Sequence, residues 1–364
     1  MAAHRIENPL WTIVLPAAGI AALGAIAMGY SPSLHAGIAL VVALLLGGSV
    51  FAAVHHAELI AARVGEPLGS IVLALAVTVL EVGLILSLMV GAGEGGETIA
   101  RDTVYSAIMI ITTAIVGLSL LLGSRHHFEQ TIRIRGTSSA LSVLSVLAVI
   151  TLILPNFTIA TYGPTFSNVQ LLMVAITSLC LYCTFLFVQT VRHRDYFLPE
   201  GEENGDENTV MPTSGTLATS AAMLCVSLLA VILLAKSLSP VLADGITGAG
   251  LPVSFTGVII AAMVLLPEGI AAVRAAIANR LQVSVNLALG SGLATIGLTI
   301  PAVAMADLLA GYNIALGVSP SQTVLLVLAL FVSAVTLSNG RTNILSGVVH
   351  LSIFAMFLLI SAVP

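Results

Sequence analysis

Charged residues are scarce in this chain: Asp, Glu, Lys and Arg make up 8% of its 364 residues, whereas 58% are hydrophobic. Soluble domains carry about a quarter charged residues, so this composition and a mean hydropathy of +1.10 exclude a water-soluble globule. Lys and Arg number only 12, which excludes a basic surface for nucleic acid. The three cysteines, Cys180, Cys183 and Cys225, are odd in number and lie in apolar runs. We therefore expect no disulfide framework.

Long hydrophobic runs, in contrast, recur from end to end. A run of about 20 apolar residues suffices to cross the hydrocarbon core of a membrane. Dividing the chain at Gly, Pro and charge clusters predicts an all-α polytopic membrane protein with about 11 transmembrane helices. Their ranges are 11–30, 34–54, 68–90, 104–123, 139–160, 168–191, 216–236, 252–275, 282–305, 322–338 and 343–363. The first run lacks a small-residue cleavage site, so we predict a retained helix and not a signal peptide.

The basic residues predict the orientation, because Lys and Arg concentrate in cytoplasmic loops. With a cytoplasmic N-terminus and an external C-terminus, only Arg101 and Lys236 of the 12 fall outside. The others are all placed inside: Arg5, Arg63, Arg125, Arg133, Arg135, Arg192, Arg194, Arg274, Arg280 and Arg341. We expect a multi-pass protein of the plasma (inner) membrane.

One cytoplasmic segment is unlike the others, since residues 199–208 are polar and acidic. We interpret 192–215 as a disordered linker, which either joins two bundles or senses cations. Residues 1–33 then form an extra N-terminal helix, 34–191 a first five-helix repeat and 216–364 a second one. Two five-helix units in series enter the membrane with opposite orientation, so we predict inverted repeats.

A glutamate lies about midway along the third predicted helix. Glu81 follows Thr78 by one turn, and no Lys or Arg is predicted at its depth. A lone ionised group there costs several kcal/mol, so such a residue either binds a cation or carries a proton. The structural alternative is a glutamic acid that stays protonated and bonds to a neighbouring carbonyl.

The eighth predicted helix contains a second glutamate, Glu268, between Pro267 and Gly269. Pro removes a backbone donor and Gly loosens the chain, so we predict that the helix breaks here and frees carbonyl oxygens to face a cavity. These oxygens and two carboxylates would form a hard, oxygen-only site, which suits Ca²⁺ and, more weakly, Na⁺ or K⁺.

The helices that follow the two glutamates carry small and polar residues. In the second half, three small residues are predicted to let another helix approach closely: Gly290, Ala294 and Gly297. Asn286, Ser291 and Thr295 can offer oxygens across the contact. Thr112 and Thr113 are the counterparts in the first half. Such faces are also common in plain helix packing. The predicted supporting residues of the site are Thr78, Thr112, Thr113, Pro267, Asn286, Gly290 and Ser291.

Other acids, among them Asp102 and Asp307, fall in predicted loops or at helix ends, and most are expected to be solvated. Glu66 begins the third helix, where it either caps free amides or belongs to an ion path. His55, His56 and Glu58 lie at the predicted cytoplasmic end of the second helix, where they either relay protons or pack at the interface. His350 is alone in the last helix, which is typical of a packing residue.

These motifs resemble the calcium/cation antiporter superfamily. The resemblance is carried by residues 55–58, 65–67, 78–82, 267–269 and 288–294, and it extends over nearly the whole chain. It is greatest for the bacterial calcium/proton branch, also described as sodium-potassium/proton antiporters. It implies two inverted five-helix repeats, each with a glutamate at the central site, here Glu81 and Glu268. Thr112 and Thr113 stand where such proteins often carry an amide side chain, which leaves the ion open.

We therefore expect a secondary transporter that exchanges a cation, Ca²⁺ or otherwise Na⁺ or K⁺, for protons by alternating access. A cation channel is the main alternative, but the protonatable pair favours a carrier. An intramembrane hydrolase is excluded because no H-E-x-x-H motif occurs and His350 has no evident nucleophile partner. We expect no cofactor. The expected partners are membrane lipid, inorganic cations and protons, with a homo-oligomer left open.

Overall fold

The computed structural model of the chain describes residues 8–29, 36–65, 68–92, 96–197 and 213–364. Glu66, Pro67 and the acidic stretch at 198–212 lie outside the described residues, as do Arg5, Glu7 and Glu94. The predictions made for them stay predictions.

Thirteen α-helices account for most of the described chain. They are α1 (Leu10–Ala27), α2 (Ala36–Val64), α3 (Leu68–Ala92), α4 (Ile99–Met109), α5 (Val116–His127), α6 (Ile134–Ala148), α7 (Asn168–Phe187), α8 (Ser214–Gly248), α9 (Phe255–Ile277), α10 (Leu281–Ala294), α11 (Ile300–Ala310), α12 (Pro320–Ser338) and α13 (Ile344–Ala362). Two short strands, β1 (Gln130–Thr131) and β2 (Arg341–Thr342), pair antiparallel with Gln130 opposite Thr342.

Four π-helical turns extend or join these helices: Ile110–Ile115, Val149–Ile153, Val188–Arg192 and Thr295–Thr299. The first makes α4 and α5 one continuous span, and the last does the same for α10 and α11. With these joins, the described residues contain 11 helices long and apolar enough to cross a membrane. The prediction of an all-α polytopic membrane protein is confirmed.

Local sequence explains where several helices begin and end. Ser167 and Gln170 form a capping box at the start of α7, and Ser319 and Gln322 form another at the start of α12. Each serine accepts a bond from an otherwise free backbone amide, and each glutamine bonds back to the amide of the serine. Helix α11 ends at Gly311, whose φ of 71° is readily adopted only without a side chain.

Several predicted helix ends are wrong, and so is the predicted break in α9. Helix α2 continues to Val64, so His55, His56 and Glu58 lie inside the helix and not at its end. Helix α8 continues through Pro240 to Gly248. Helix α9 runs unbroken through Pro267. Proline removes one hydrogen bond of the helix, but neighbouring helices and local adjustments in a membrane bundle make up for that loss, so the predicted break does not occur.

The chain divides into two compact units. The first contains α1, α2, α3 and α8, and the second contains the remaining helices and both strands. Each unit therefore draws on both sides of the acidic segment. Neither coincides with a predicted five-helix repeat, but a repeat is a relation of topology and not of compactness, so that division stays a prediction.

The span from Gly96 to His127 is the core of the second unit. Its most apolar part is 83% buried, whereas the other ten spans range from 17% to 50%. Ile108, Met109 and Leu120 on this span are completely enclosed. The three cysteines are free, as expected.

Candidate functional site

Glu81 lies within α3 in the first unit and is only 2% exposed. Its neighbours Leu80 and Leu84 are fully buried. Helix α3 comes close to α8 here: a Cβ on Gly83 would stand 2.7 Å from Ile232 Cδ1. One turn further on, the Ser87 hydroxyl donates a hydrogen bond of 2.9 Å to the Ile232 carbonyl. The carboxylate is therefore held in a tightly packed part of the helix pair.

Thr78 lies three residues before Glu81, which places both side chains on one face of α3. It is 7% exposed, and its Oγ1 is buried without a hydrogen-bond partner among the described residues. Buried polar atoms are nearly always satisfied by protein, water or an ion. A buried hydroxyl beside a buried carboxylate is thus a feature that packing alone does not explain.

Glu268 lies in the second unit, half-buried on α9. The preceding Pro267 has no backbone N–H, so the Met263 carbonyl receives no bond from it. Helix α9 runs parallel to the α4–α5 span: a Cβ on Gly257 would stand 2.4 Å from the Asp102 carbonyl carbon, and one on Gly269 would stand 3.3 Å from Ile115 Cδ1. Glu268 is therefore at the level of the end of the π-helical turn Ile110–Ile115.

That π-helical turn holds Thr112 and Thr113, both at most 1% exposed. Each hydroxyl donates to a carbonyl four residues earlier, Thr112 to Ile108 at 2.7 Å and Thr113 to Met109. Their oxygens keep lone pairs for another donor or a cation. A π-helical turn inside an α-helix is typical of functional sites, because the change of register disturbs the regular carbonyl pairing.

Helix α10 packs against the same turn, since a Cβ on Gly292 would stand 3.2 Å from Ile111 Cδ1. Ser291 is adjacent and half-buried. Gly290 was expected to admit another helix, and this is wrong: no described atom lies within 4 Å of its added Cβ. The same expectation for Gly297 is confirmed, since a Cβ there would stand 2.6 Å from Tyr182 Cβ.

Asn286 lies near the start of α10, about 7.5 Å along the axis from Ser291 at 1.5 Å per residue. Its amide nitrogen donates to the Phe197 carbonyl, and its oxygen accepts a bond of 2.8 Å from Gln282 Nε2. Both ends of the amide are engaged in holding α10 to the segment after α7. The structure does not bring Asn286 to Ser291, and its role as a ligand stays a prediction.

His55 and His56 belong to the first unit, beside α1. His56 is fully buried and its Nε2 donates to the Thr12 carbonyl at 3.2 Å. The His55 ring lies 6.0 Å from the ring of Trp11 and 5.6 Å from that of His56, the latter edge-on. His55 Nε2 and His56 Nδ1 are buried and have no hydrogen-bond partner among the described residues. Glu58 is exposed at the surface of the chain.

Two further ionisable residues of the second unit are buried: His350, which was predicted to be a packing residue, and Asp102, which was predicted to be solvated. His350 on α13 is fully buried, and its Nδ1 donates a bond of 2.6 Å to the Thr112 carbonyl in the π-helical turn. Asp102, expected to be solvated, is only 2% exposed and pairs with Arg101 at 2.9 Å. Arg101 also donates to the Gly317 carbonyl at 3.1 Å. The burial of Asp102 would have been recognised from its place within a span, had α4 been predicted to begin at Ile99.

The donors near each glutamate are hydroxyl and carbonyl oxygens. Among the described residues, no group of three or more His, Cys, Asp or Glu side chains is placed to hold a metal ion. Glu81 and Glu268 each have a further interaction within the structure. The candidate site consists of Glu81 on α3 and Glu268 on α9, each with neutral oxygens nearby.

Comparison with known proteins identifies the family. The family model described as "Sodium/calcium exchanger protein" matches residues 34–191 and 219–363. The putative ionic transporter y4hA of Sinorhizobium fredii (strain NBRC 101917 / NGR234) is 47% identical over 356 residues, covering 98% of this chain and 97% of that protein. The sodium-potassium/proton antiporter ChaA of Escherichia coli (strain K12) is 38% identical over 336 residues, covering 91% of each.

Two solved structures of YfkE share the fold. That of native YfkE superposes with a TM-score of 0.75 at 16% identity, covering 97% of this chain and 100% of that one. That of the selenium-substituted protein, described as a Ca²⁺/H⁺ antiporter, has a TM-score of 0.69 at 15% identity and covers 97% and 99%. The matched family and relatives are transporters and not enzymes. This chain belongs to the sodium/calcium exchanger protein family and is a multi-pass membrane transporter of the cation-exchanger type.

Proposed function

We propose that the chain exchanges Ca²⁺ for protons by alternating access, and that Glu81 and Glu268 are shared between the cation and the protons. The observation that carries the proposal is the burial of Glu81, 2% exposed within an apolar span and next to the unsatisfied Thr78 hydroxyl. A carboxylate at that depth costs several kcal/mol unless it binds a cation or a proton.

The chemistry of exchange follows from that cost. With the cation bound, both glutamates are ionised and their charges are compensated. Without the cation they take up protons, so the empty carrier has no buried charge. The empty, doubly ionised form is disfavoured because two like charges in a poorly solvated cavity repel each other and lack hydration. Only the loaded forms reorient, which prevents leak without a separate gate.

The preference for Ca²⁺ rests on the donor set. Ca²⁺ binds carboxylate, carbonyl and hydroxyl oxygens, and two carboxylates match its charge. Thr112, Thr113 and Ser291 would supply neutral oxygens on the side of Glu268, and Thr78 would do so on the side of Glu81. YfkE, which has the same fold, is described as a Ca²⁺/H⁺ antiporter. With a cytoplasmic N-terminus and a proton gradient directed inward, the carrier extrudes the cation.

Exchange of Na⁺ or K⁺ for protons is the second candidate. ChaA, which is 38% identical to this chain, is a sodium-potassium/proton antiporter. The hydroxyls of Thr112 and Thr113 at the π-helical turn suit monovalent ions as well, since they add no charge.

The test is cation-dependent proton flux in everted vesicles, with Ca²⁺, Na⁺ and K⁺ supplied separately. Glu81→Gln and Glu268→Gln keep the side-chain size and remove the charge. We expect each to lower apparent Ca²⁺ affinity by about 100-fold or more, since removing one partner of a buried charge pair costs about 3–5 kcal/mol. Glu129→Gln is the matched control, because Glu129 is exposed and lies 3.8 Å from Arg341; it retains exchange.

Normal exchange in both glutamate variants would overturn the shared-site mechanism. Proton flux that depends on Na⁺ or K⁺ but not on Ca²⁺ would support the shared-site mechanism and show that the transported cation is monovalent. Cation current without any proton movement would show a channel.

A further inference from the structure

The second unit contains an apolar groove of about 540 Å³ between the α4–α5 span, α9 and α13. Its walls include Leu118, Ala262, Leu266, Ile270 and Phe354. Leu118, Leu266 and Ile270 are 39%, 50% and 38% exposed, although they lie in spans that cross the membrane. The groove is therefore open to the hydrocarbon phase.

The groove is separate from the candidate exchange site. Its lining residues on α9 recur at intervals of three and four from Val258 to Arg274, so they occupy one face of that helix. At 100° per residue, Glu268 lies about 140° around the helix from the middle of this face. Hydroxyl and carboxylate side chains are absent from the described residues that line the groove. An ion path would require such groups.

One end of the groove is basic. Arg274 is the polar residue among the described lining residues, and it is exposed. Helices α5 and α9 end together, because His127 Nε2 donates to the Ile277 carbonyl at 2.7 Å. Arg125 lies two turns beyond Leu118 on the same face of α5, so it belongs to the same end.

These two guanidinium groups are not neutralised by the described part of the chain. No ion pair joins Arg125 or Arg274 to a described carboxylate. Glu129, the acid nearest Arg125 in sequence, pairs with Arg341 at 3.8 Å, and Glu268, the acid nearest Arg274, lies six residues before it and about 120° around α9. A groove that is apolar along its length and cationic at one end complements a molecule with an apolar chain and an anionic head.

We propose that this groove binds an anionic phospholipid, with an acyl chain between α5, α9 and α13 and the headgroup phosphate at Arg274 and Arg125. Arginine suits this role because its planar fork donates two hydrogen bonds to a phosphate. The predicted orientation places the basic end in the cytoplasmic leaflet, where anionic lipids concentrate. The occupant is a lipid and not a second copy of the chain, because a helix from another copy would leave both guanidinium groups without an anion.

The proposal is tested on the full-length protein by native mass spectrometry after purification with dioleoyl-phosphatidylglycerol or dioleoyl-phosphatidylcholine. We expect the wild-type protein to retain phosphatidylglycerol in preference. Arg274→Gln and Arg125→Gln each lower its apparent affinity about fivefold, the effect of one basic residue at an anionic surface, and the double variant lowers it about 25-fold. Arg192→Gln removes an exposed arginine elsewhere and leaves the affinity unchanged.

A second pair of variants tests the acyl chain. Ala262→Phe fills the groove and lowers retention of phosphatidylglycerol, whereas Ala355→Phe adds the same bulk to an exposed position of α13 outside it and does not. If Ala262→Phe fails to fold, Arg274→Gln and Arg125→Gln still test the proposal, because both arginines are exposed. The proposal would be overturned if the wild-type protein retained phosphatidylglycerol and phosphatidylcholine equally. It would also be overturned if none of the changes at Arg125, Arg274 and Ala262 lowered the retention of phosphatidylglycerol. So would a cross-link between copies through Leu266→Cys in a cysteine-free background.

Discussion

The hydrogen bond from His350 to the π-helical turn can be compared with a similar bond made by His126, and the two differ in how deeply they are buried. His350 Nδ1 bonds to the Thr112 carbonyl at 2.6 Å, and His126 Nδ1 bonds to the Leu122 carbonyl at 2.8 Å. The two bonds are chemically alike. His350, however, is fully buried, and His126 is exposed at the end of α5.

Replacing each histidine by leucine removes one bond and keeps most of the side-chain volume. At position 126, water bonds to the released carbonyl, so the change is small. At position 350, the Thr112 carbonyl stays buried without its partner, which costs about 1–3 kcal/mol. Because Thr112 lies in the turn proposed to support Glu268, we expect part of this free-energy cost to weaken cation binding. If all of it does, the half-saturating Ca²⁺ concentration rises between about fivefold and 150-fold.

The assay compares Ca²⁺-dependent proton flux in everted vesicles and thermal unfolding in detergent for both variants. We expect His350→Leu to lower the melting temperature and to raise the half-saturating Ca²⁺ concentration, and His126→Leu to change neither. Equal behaviour of the two variants would refute the argument from burial. A His350→Leu variant that loses stability but keeps its Ca²⁺ dependence would show that the bond is structural and separate from the site.

Four further substitutions give equally definite outcomes. Thr78→Val removes a buried hydroxyl that has no hydrogen-bond partner among the described residues, so we expect an unchanged or higher melting temperature. We also expect the half-saturating Ca²⁺ concentration to rise roughly fivefold, which corresponds to about 1 kcal/mol. An unchanged Ca²⁺ dependence would show that Thr78 does not belong to the site. Gly257→Ala places a Cβ 2.4 Å from the backbone of Asp102, which cannot yield, and should destabilise the protein by about 1–3 kcal/mol in thermal unfolding. Gly290→Ala is the control: no described atom lies within 4 Å of the added Cβ, so this change should not destabilise the protein. Asn286→Ala breaks the bonds to Phe197 and Gln282, so we expect lower thermal stability with unchanged Ca²⁺ dependence, and the reverse result would restore Asn286 as a ligand.

The spans and the fold class could be predicted because hydropathy and length depend on local sequence. Several helix ends could not, since continuation depends on neighbours that the sequence does not reveal. Pro267 was expected to break α9, but the packed bundle keeps the helix continuous. Asp102 was assigned to a solvated end because α4 was predicted to begin five residues too late, at position 104 instead of Ile99.

The candidate site was predictable to the level of its carboxylates and not of its architecture. A glutamate in an apolar run is rare enough to mark Glu81 and Glu268 directly. The π-helical turn at Ile110–Ile115 leaves no sequence signal, because a shift of register by one residue requires no special residue type. His350 was predicted to be a packing residue and is buried, but its partner could not be predicted, because that partner is a backbone carbonyl on a helix more than 200 residues away in sequence.

Helix α8 can be used to determine which side of the membrane each part of the chain faces. Its 35 residues span about 52 Å at 1.5 Å per residue, well beyond a hydrocarbon core of about 30 Å, even with the usual tilt of about 20°. Its last turns carry the exposed Asp244 and Thr247, and no described atom lies within 4 Å of a Cβ added to Gly245. An epitope joined at these exposed positions would report which compartment this end of the helix faces.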